Sequence, residues 1–175
     1  TLGGPWRVKF DPAWGGPGEV VFEQLLDWAI HPDDGIIYYS GTAVYTAEFD
    51  LPEGVEISRK DALYLDLGEV FCLARVKLNG REQGIVWTKP ARVRLTGIKK
   101  RGNHLEIEVA NLWINRLIGD ENQPWDGVVN GSWPEWLLTG SPRPTKRLTF
   151  TTHHFYCQGD PLVPSGLLGP VRLLK

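Results

Sequence analysis

Methionine is absent from all 175 residues, position 1 included, and cysteine occurs only twice, as Cys72 and Cys157. A chain lacking an initiating methionine is expected to be a mature product or a fragment of something longer, in which any signal peptide would leave no trace. Two cysteines build no disulfide framework, and each sits in an apolar, strand-like run, so buried thiols are the simpler expectation than a bridge. No apolar run approaches the length that crosses a bilayer. An excess of one charge is lacking too, since 19 basic and 21 acidic residues leave a formal net charge of −2. That removes any electrostatic case for nucleic acid or an anionic membrane as partner. The one basic run, Lys99-Lys100-Arg101, leads into Gly102-Asn103 and reads as a solvated turn. There is no GxSxG elbow, P-loop or dinucleotide fingerprint.

What is present is a 42% apolar fraction, 20 glycines, 13 prolines and eight tryptophans. That much apolar material suffices for a full core, and the glycines and prolines punctuate many short alternating runs. Trp6, Val8 and Phe10 alternate with Arg7 and Lys9 as a strand does. Residues 11–18 carry two prolines and three glycines and must be loop. Strands are expected at Glu19 to Phe22, Ile36 to Tyr39 and Thr42 to Asp50, the last with Tyr45, Ala47 and Phe49 on one face. Leu63, Leu65 and Leu67 form the next, and Ala74, Val76 and Leu78 another. Asn79-Gly80 then supplies a hairpin turn and Gln83 to Trp87 the return strand. Because a hairpin alone is marginal, the stretch Leu63 to Trp87 is expected to lie within a larger sheet, with the remaining chain covering it. Val93 and Leu95, then Leu105, Ile107 and Val109, then Leu148 to Tyr156 and Val171 to Leu174 complete a set of about ten strands with no long amphipathic helix. The expectation is an all-β, two-sheet jelly-roll sandwich, residues 1–175 forming one domain with a long ordered loop insertion.

That insertion is placed at about 111–147. A connection so long is usually functional or disordered, and Trp113, Trp125, Trp133, Trp136 and several leucines and isoleucines argue for an ordered cap. One helical turn is expected near Pro134 to Leu138.

Several stretches resemble known carbohydrate enzymes. Gly41, Tyr45, Phe49, Leu51 and Pro52, then Leu65, Leu67, Gly68, Glu69 and Val70, then VKLNGREQGIVW at 76–87 are similar to the galactose-binding-like domains of family 2 glycoside hydrolases. GPWRVKF, NLWINRLIGDE at 111–121 and PSGLLGPVRL near the end resemble the C-terminal region of family 106 glycoside hydrolases, the α-L-rhamnosidases. The NGxxxGxxW hairpin is shared by many sandwiches, whereas NLWINRLIGDE is more specific. The resemblance implies that catalysis belongs to carboxylates on a separate α/β barrel. This chain would then be a non-catalytic accessory domain of an enzyme acting on plant-type polysaccharide, outside the cytoplasm or in the periplasm. Two functions fit. It is a carbohydrate-binding module, whose partner is a polysaccharide or oligosaccharide, or a brace that packs on the catalytic domain and holds no sugar. A complete small glycosidase is a third reading with nothing positive behind it.

Sugar recognition needs flat apolar surface for pyranose C–H faces and planar polar groups for hydroxyls. Trp14, Trp125, Trp133 and Trp136 fall in loop-like stretches and supply the first, or else serve as the cap's own core. Of these, Trp125 or Trp133 is the best candidate for an exposed face. Asn115, Arg116 and Asp120 supply the second, or else Arg116 and Asp120 pair to pin the cap. Asp126 and Glu135 lie near tryptophans, whose desolvation would raise a carboxyl pKa. His153 and His154, as neighbours on a strand, would point to opposite faces and not share a metal. No cofactor is required. A structural calcium with Asp33 and Asp34 as ligands is a possibility against a plain Asp-Asp-Gly turn.

Overall fold

The computed structural model describes residues 1–54 and 62–175. In chain order its elements are β1 (Trp6–Lys9), β2 (Glu19–Phe22), α1 (Asp34–Ile37), β3 (Thr42–Phe49), β4 (Leu63–Asp66), β5 (Glu69–Phe71), β6 (Leu73–Leu78), β7 (Arg81–Val86), β8 (Arg92–Leu95), β9 (Asn103–Ala110), α2 (Ile114–Asp120), α3 (Glu135–Thr139), β10 (Gly166–Gly169) and β11 (Arg172–Leu174). One layer is a six-stranded antiparallel sheet in the order β2-β1-β3-β9-β6-β7. Facing it are a three-stranded sheet, β11-β4-β8, and a two-stranded one, β10-β5. The expected all-β sandwich is what forms.

The alternation read in the sequence is the alternation of burial. Val8, Tyr45, Val76, Leu105, Ile107 and Val109 point inward from the six-stranded sheet and meet Leu65, Leu67 and Leu167 from the other layer, all without solvent exposure. Full burial of each such aliphatic side chain contributes about 1.5–3 kcal/mol. At one end Phe10 meets Trp28 and Tyr39 edge-on, with ring centroids 5.2 and 4.9 Å apart. The Trp28 indole N–H donates to the Tyr45 hydroxyl at 2.6 Å, which settles the one polar atom of a fully buried indole. Asn79 and Gly80 take positive φ values of 52° and 76°, the geometry a two-residue hairpin asks for.

Four expectations are corrected. The stretch Leu63 to Trp87 is not the centre, because β4 joins the opposite layer and β7 is an edge strand. The centre is the long β3–β9 pair, in register from Thr42 opposite Ala110 to Phe49 opposite Asn103. Ile36 does not begin a strand but sits in a single helical turn. The Asp33 carboxylate accepts from Gly35 N–H at 2.8 Å and caps that turn, and this local bond outweighs the β preference of two isoleucines. Leu148 to Tyr156 forms no strand, so the connection from β9 to β10 runs the whole way from 111 to 165. Cys72 and Cys157 are exposed free thiols rather than buried ones.

Candidate functional site: the aromatic cap

The segment between β9 and β10 folds over one end of the sandwich, and three side chains of α2 anchor it. Asn115 grips the backbone of Val163, its amide donating to the carbonyl at 2.8 Å and its Oδ1 accepting from the N–H at 2.9 Å. Asp120 Oδ2 accepts from the N–H groups of Leu148 and Thr149 at 3.1 and 2.7 Å and from the Thr149 hydroxyl at 2.6 Å. Arg116 lies over the Tyr38 ring and 3.5 Å from Asp120 Oδ1, and its burial pushes the guanidinium pKa down. All three are buried. Asn115 and Asp120 tie distant stretches of the cap to one another, and Arg116, whose buried Nε has no hydrogen-bond partner, reaches the sandwich through Tyr38. Asp120 also explains the missing strand, since it takes the N–H groups that Leu148 and Thr149 would have offered to a ladder.

A second knot is built on Asp126. Arg143 donates Nε to Oδ2 at 2.6 Å and Nη2 to Oδ1 at 2.8 Å, and the Thr145 hydroxyl adds a third bond. Burial alone would push the Asp126 carboxyl up. The hydrogen bonds from Arg143 and Thr145 and the nearby charges of Arg143 and Arg147 outweigh it and hold the pKa below the usual carboxylate range. The expected rise beside tryptophan is thus reversed. Glu135 is exposed on the first turn of α3.

Around this knot stand three of the tryptophans singled out above. The indole N–H groups of Trp125 and Trp136 donate to the carbonyls of Val128 and Asp126 at 3.1 and 2.9 Å. The His154 ring lies 4.0 Å from Trp125, and the Arg147 guanidinium 4.9 Å from the same ring. Arg143 sits 5.1 Å over Trp136. Trp133 stacks on Phe150 at 5.8 Å and 18° and stays 52% exposed. Trp125, Trp133 and Trp136, with Pro124, Pro134 and Pro144, line a groove of about 530 Å³. Trp14 is not part of it. It packs edge-on against Trp113, 5.4 Å away, beside a neighbouring groove of about 360 Å³ floored by Leu117, Leu148 and Phe150.

Sequence reasoning missed Phe150, which lines the second groove and backs Trp133 of the first, and Arg143 and Arg147, which brace the tryptophans. Arg143 stands between two prolines in Ser141-Pro142-Arg143-Pro144, a rigid setting that could have drawn notice. His153 and His154 diverge, one against Phe155 and the other bonded to Glu121 at 2.6 Å. Among the described residues no three His, Cys, Asp or Glu side chains gather as a metal site, and the Asp33 carboxylate is engaged as a helix cap.

No protein-family model matches the chain. It is 41% identical over 177 residues to a protein of Formosa agariphila named "Putative beta-glucuronidase", an alignment covering 98% of this chain and 15% of that one. Among solved structures it is similar to a rhamnosidase from Novosphingobium sp. PP1Y, with a TM-score of 0.81 and 36% identity over 99% of this chain and 14% of the other. A β-glucuronidase from Ruminococcus gnavus shares the fold over 63% of this chain, at 23% identity and a TM-score of 0.50. The chain is therefore similar, over nearly its whole length, to a segment that makes up about a seventh of longer proteins named as glycosidases.

Proposed function

We propose that this chain is a non-catalytic accessory sandwich of a glycoside hydrolase and that its Trp125–Trp133–Trp136 groove holds carbohydrate weakly. The observation that carries the reading is Trp133. One face of its indole rests on Phe150, and the residue is half exposed at a groove of the size small ligands occupy. A backed, flat indole suits the C–H face of a pyranose. Free planar polar groups are scarce, because the Asp126 carboxylate and the indole N–H groups of Trp125 and Trp136 are engaged within the chain. Binding of this kind is weak and useful mainly by tethering, which raises the local concentration of substrate around a separate catalytic centre.

Glycosidic cleavage needs a carboxylic acid kept protonated and a second carboxylate at a set distance. The carboxylates of Asp120, Glu121 and Asp126 in the cap are instead hydrogen-bonded by arginines and backbone N–H groups. The finer assignment, an accessory domain of a family 106 rhamnosidase acting outside the cytoplasm on plant-type polysaccharide, rests on the same kinship.

Affinity electrophoresis and titration calorimetry of the 175-residue chain against pectic, xylan, galactan and rhamnose-containing glycans test this, with calcium and with chelator. One glycan class should retard the chain, and Trp133→Ala should abolish the retardation while leaving the far-ultraviolet spectrum unchanged. A chain that no glycan retards would overturn the carbohydrate reading. Sensitivity to chelator would bring in an ion.

A further inference from the structure

The second groove differs from the first in what surrounds it. Trp14, Leu112 and Trp113 are 42%, 52% and 45% exposed, and the rings of Trp14 and Trp113 meet at 76°. Two rings set at right angles offer no common plane on which a pyranose could lie. The hydroxyl of Thr149, which also lines the groove, is taken by Asp120. Apolar surface is thus shown to water with few polar groups beside it, Thr149 and Thr151 being the polar residues of the lining, the pattern of an interaction face.

This face is held by contacts within the chain. Trp14 ends a 3-10 turn that Asp11 caps by accepting from Ala13 N–H at 2.9 Å, and Gly15 closes the turn with φ 77°. A side chain at Gly16 would meet the Phe10 Cβ at 2.5 Å, so the loop lies tight on the core. Beneath Trp113, α2 is fastened at Asn115 and Asp120. A pre-ordered aromatic pair loses little side-chain entropy on association, which is what makes tryptophan effective at the centre of an interface.

The edge of the face carries three carboxylates, with the buried guanidinium of Arg116, paired to Asp120, behind Gly15. Asp11 stands at the base of the Trp14 turn, and Asp33 and Asp34 lie beside it, since a Cβ at Gly35 would sit 2.9 Å from the Gly15 carbonyl. All three are exposed and none forms an ion pair among the described residues. The complementary surface is apolar at its centre with basic side chains at its margin. As for its source, two relatives that match nearly all of this chain devote about 85% of their own length to other sequence. An accessory sandwich has that remainder at hand.

We infer that the Trp14–Trp113 face docks on the catalytic part of a glycoside hydrolase, on a patch that is apolar within and basic at its rim. The inference rests on the accessory-domain reading above but not on its carbohydrate groove, so either can fail alone.

Hydroxyl-radical footprinting of Trp14 and Trp113 is the test. It compares the 175-residue chain by itself with the same chain spliced in place of the corresponding segment of the Novosphingobium rhamnosidase. Oxidation of both residues should fall at least fivefold in the spliced protein, and Asp34→Lys, which leaves the Asp11 cap of the Trp14 turn in place, should restore part of it. Equal oxidation in a spliced protein that folds and hydrolyses its substrate would sink the inference. Should the splice not fold, the native rhamnosidase is footprinted at the side chains that superpose on Trp14 and Trp113, and high reactivity there has the same consequence. Protection already present in the isolated chain, with sedimentation that depends on concentration, would instead assign the face to a second copy. Protection brought about by a glycan would assign it to sugar. Both of these outcomes overturn the proposal.

Discussion

Arg143 and Asp126 face each other fork to fork, with two parallel hydrogen bonds of 2.6 and 2.8 Å between guanidinium and carboxylate. The second guanidinium nitrogen also donates to the Thr149 carbonyl at 2.7 Å, and the Asp126 carbonyl accepts the Trp136 indole N–H at 2.9 Å. One ion pair therefore ties three parts of the cap together: the segment after α2, the turn at α3, and the run that the sequence suggests as a strand.

Removing one partner should be costly. Arg143→Ala leaves a carboxylate that is 3% exposed without its main counter-charge, and a loss of about 3 kcal/mol is expected. Urea unfolding followed by tryptophan fluorescence reads it. A double-mutant cycle with Asp126→Asn should show strong coupling, the pair costing well under the sum of the singles. Additive losses would mean that the two side chains act independently.

The same pair sets a response to acid. Because the folded pKa of Asp126 is depressed, its contribution is fully present above the ordinary value of 3.8 and drains away as pH falls below that. Near-ultraviolet dichroism titrated downward should show the cap loosening only in this acid window. Other carboxyls titrate there too, so the informative quantity is the difference between wild type and Asp126→Asn. That difference should shrink as pH falls from 5 to 2, roughly the range over which a depressed carboxylate is neutralised. A difference that stays level with pH would remove Asp126 from the account.

Asn115 exchanges two hydrogen bonds with one residue, Val163, 48 positions along the chain. Asn115→Ala leaves a backbone N–H and a carbonyl without their partners in a half-buried place and should cost about 2–3 kcal/mol. Hydrogen exchange at Val163 should speed up with it. A stability change under half a kcal/mol, roughly the spread of ordinary surface substitutions, would contradict the anchoring role.

Gly166 in β10 crosses the face of Trp28. A Cβ built there would collide with Trp28 Nε1, and the residue has φ 90°. Gly166→Ala should destabilise by about 3 kcal/mol or more, because it meets both backbone strain and a rigid ring. Calorimetry should show a drop of many degrees, whereas Gly80→Ala, where nothing lies within 4 Å, is strained only by its φ and should cost less. Equal effects at the two sites would show that φ alone matters.

The sandwich was legible in the sequence because its signals are local. Alternation at Trp6, Val8 and Phe10, or at Leu105, Ile107 and Val109, is a property of one strand, and the buried face follows from it. Asn79-Gly80 needs no partner to favour its turn. The site was legible only in part. Trp125, Trp133 and Trp136 were identified by residue type and loop context, and they do share one groove. Their partner Phe150 was hidden inside a run that alternates like a strand, and Asn115, Arg116 and Asp120 turned inward to hold the cap.

By itself, then, the sequence determined an all-β chain, the inward face of most strands, the hairpin turn, and a long tryptophan-rich connection too apolar to stay loose. Only the tertiary structure decided which strands share a sheet, that β3 and β9 form the centre, and that Leu148 to Tyr156 is not a strand at all. The physical reason lies in the range of the forces. Side-chain periodicity and turn chemistry act over a few residues, while the N–H groups of Leu148 and Thr149 went to a partner 28 and 29 positions away, the Asp120 carboxylate.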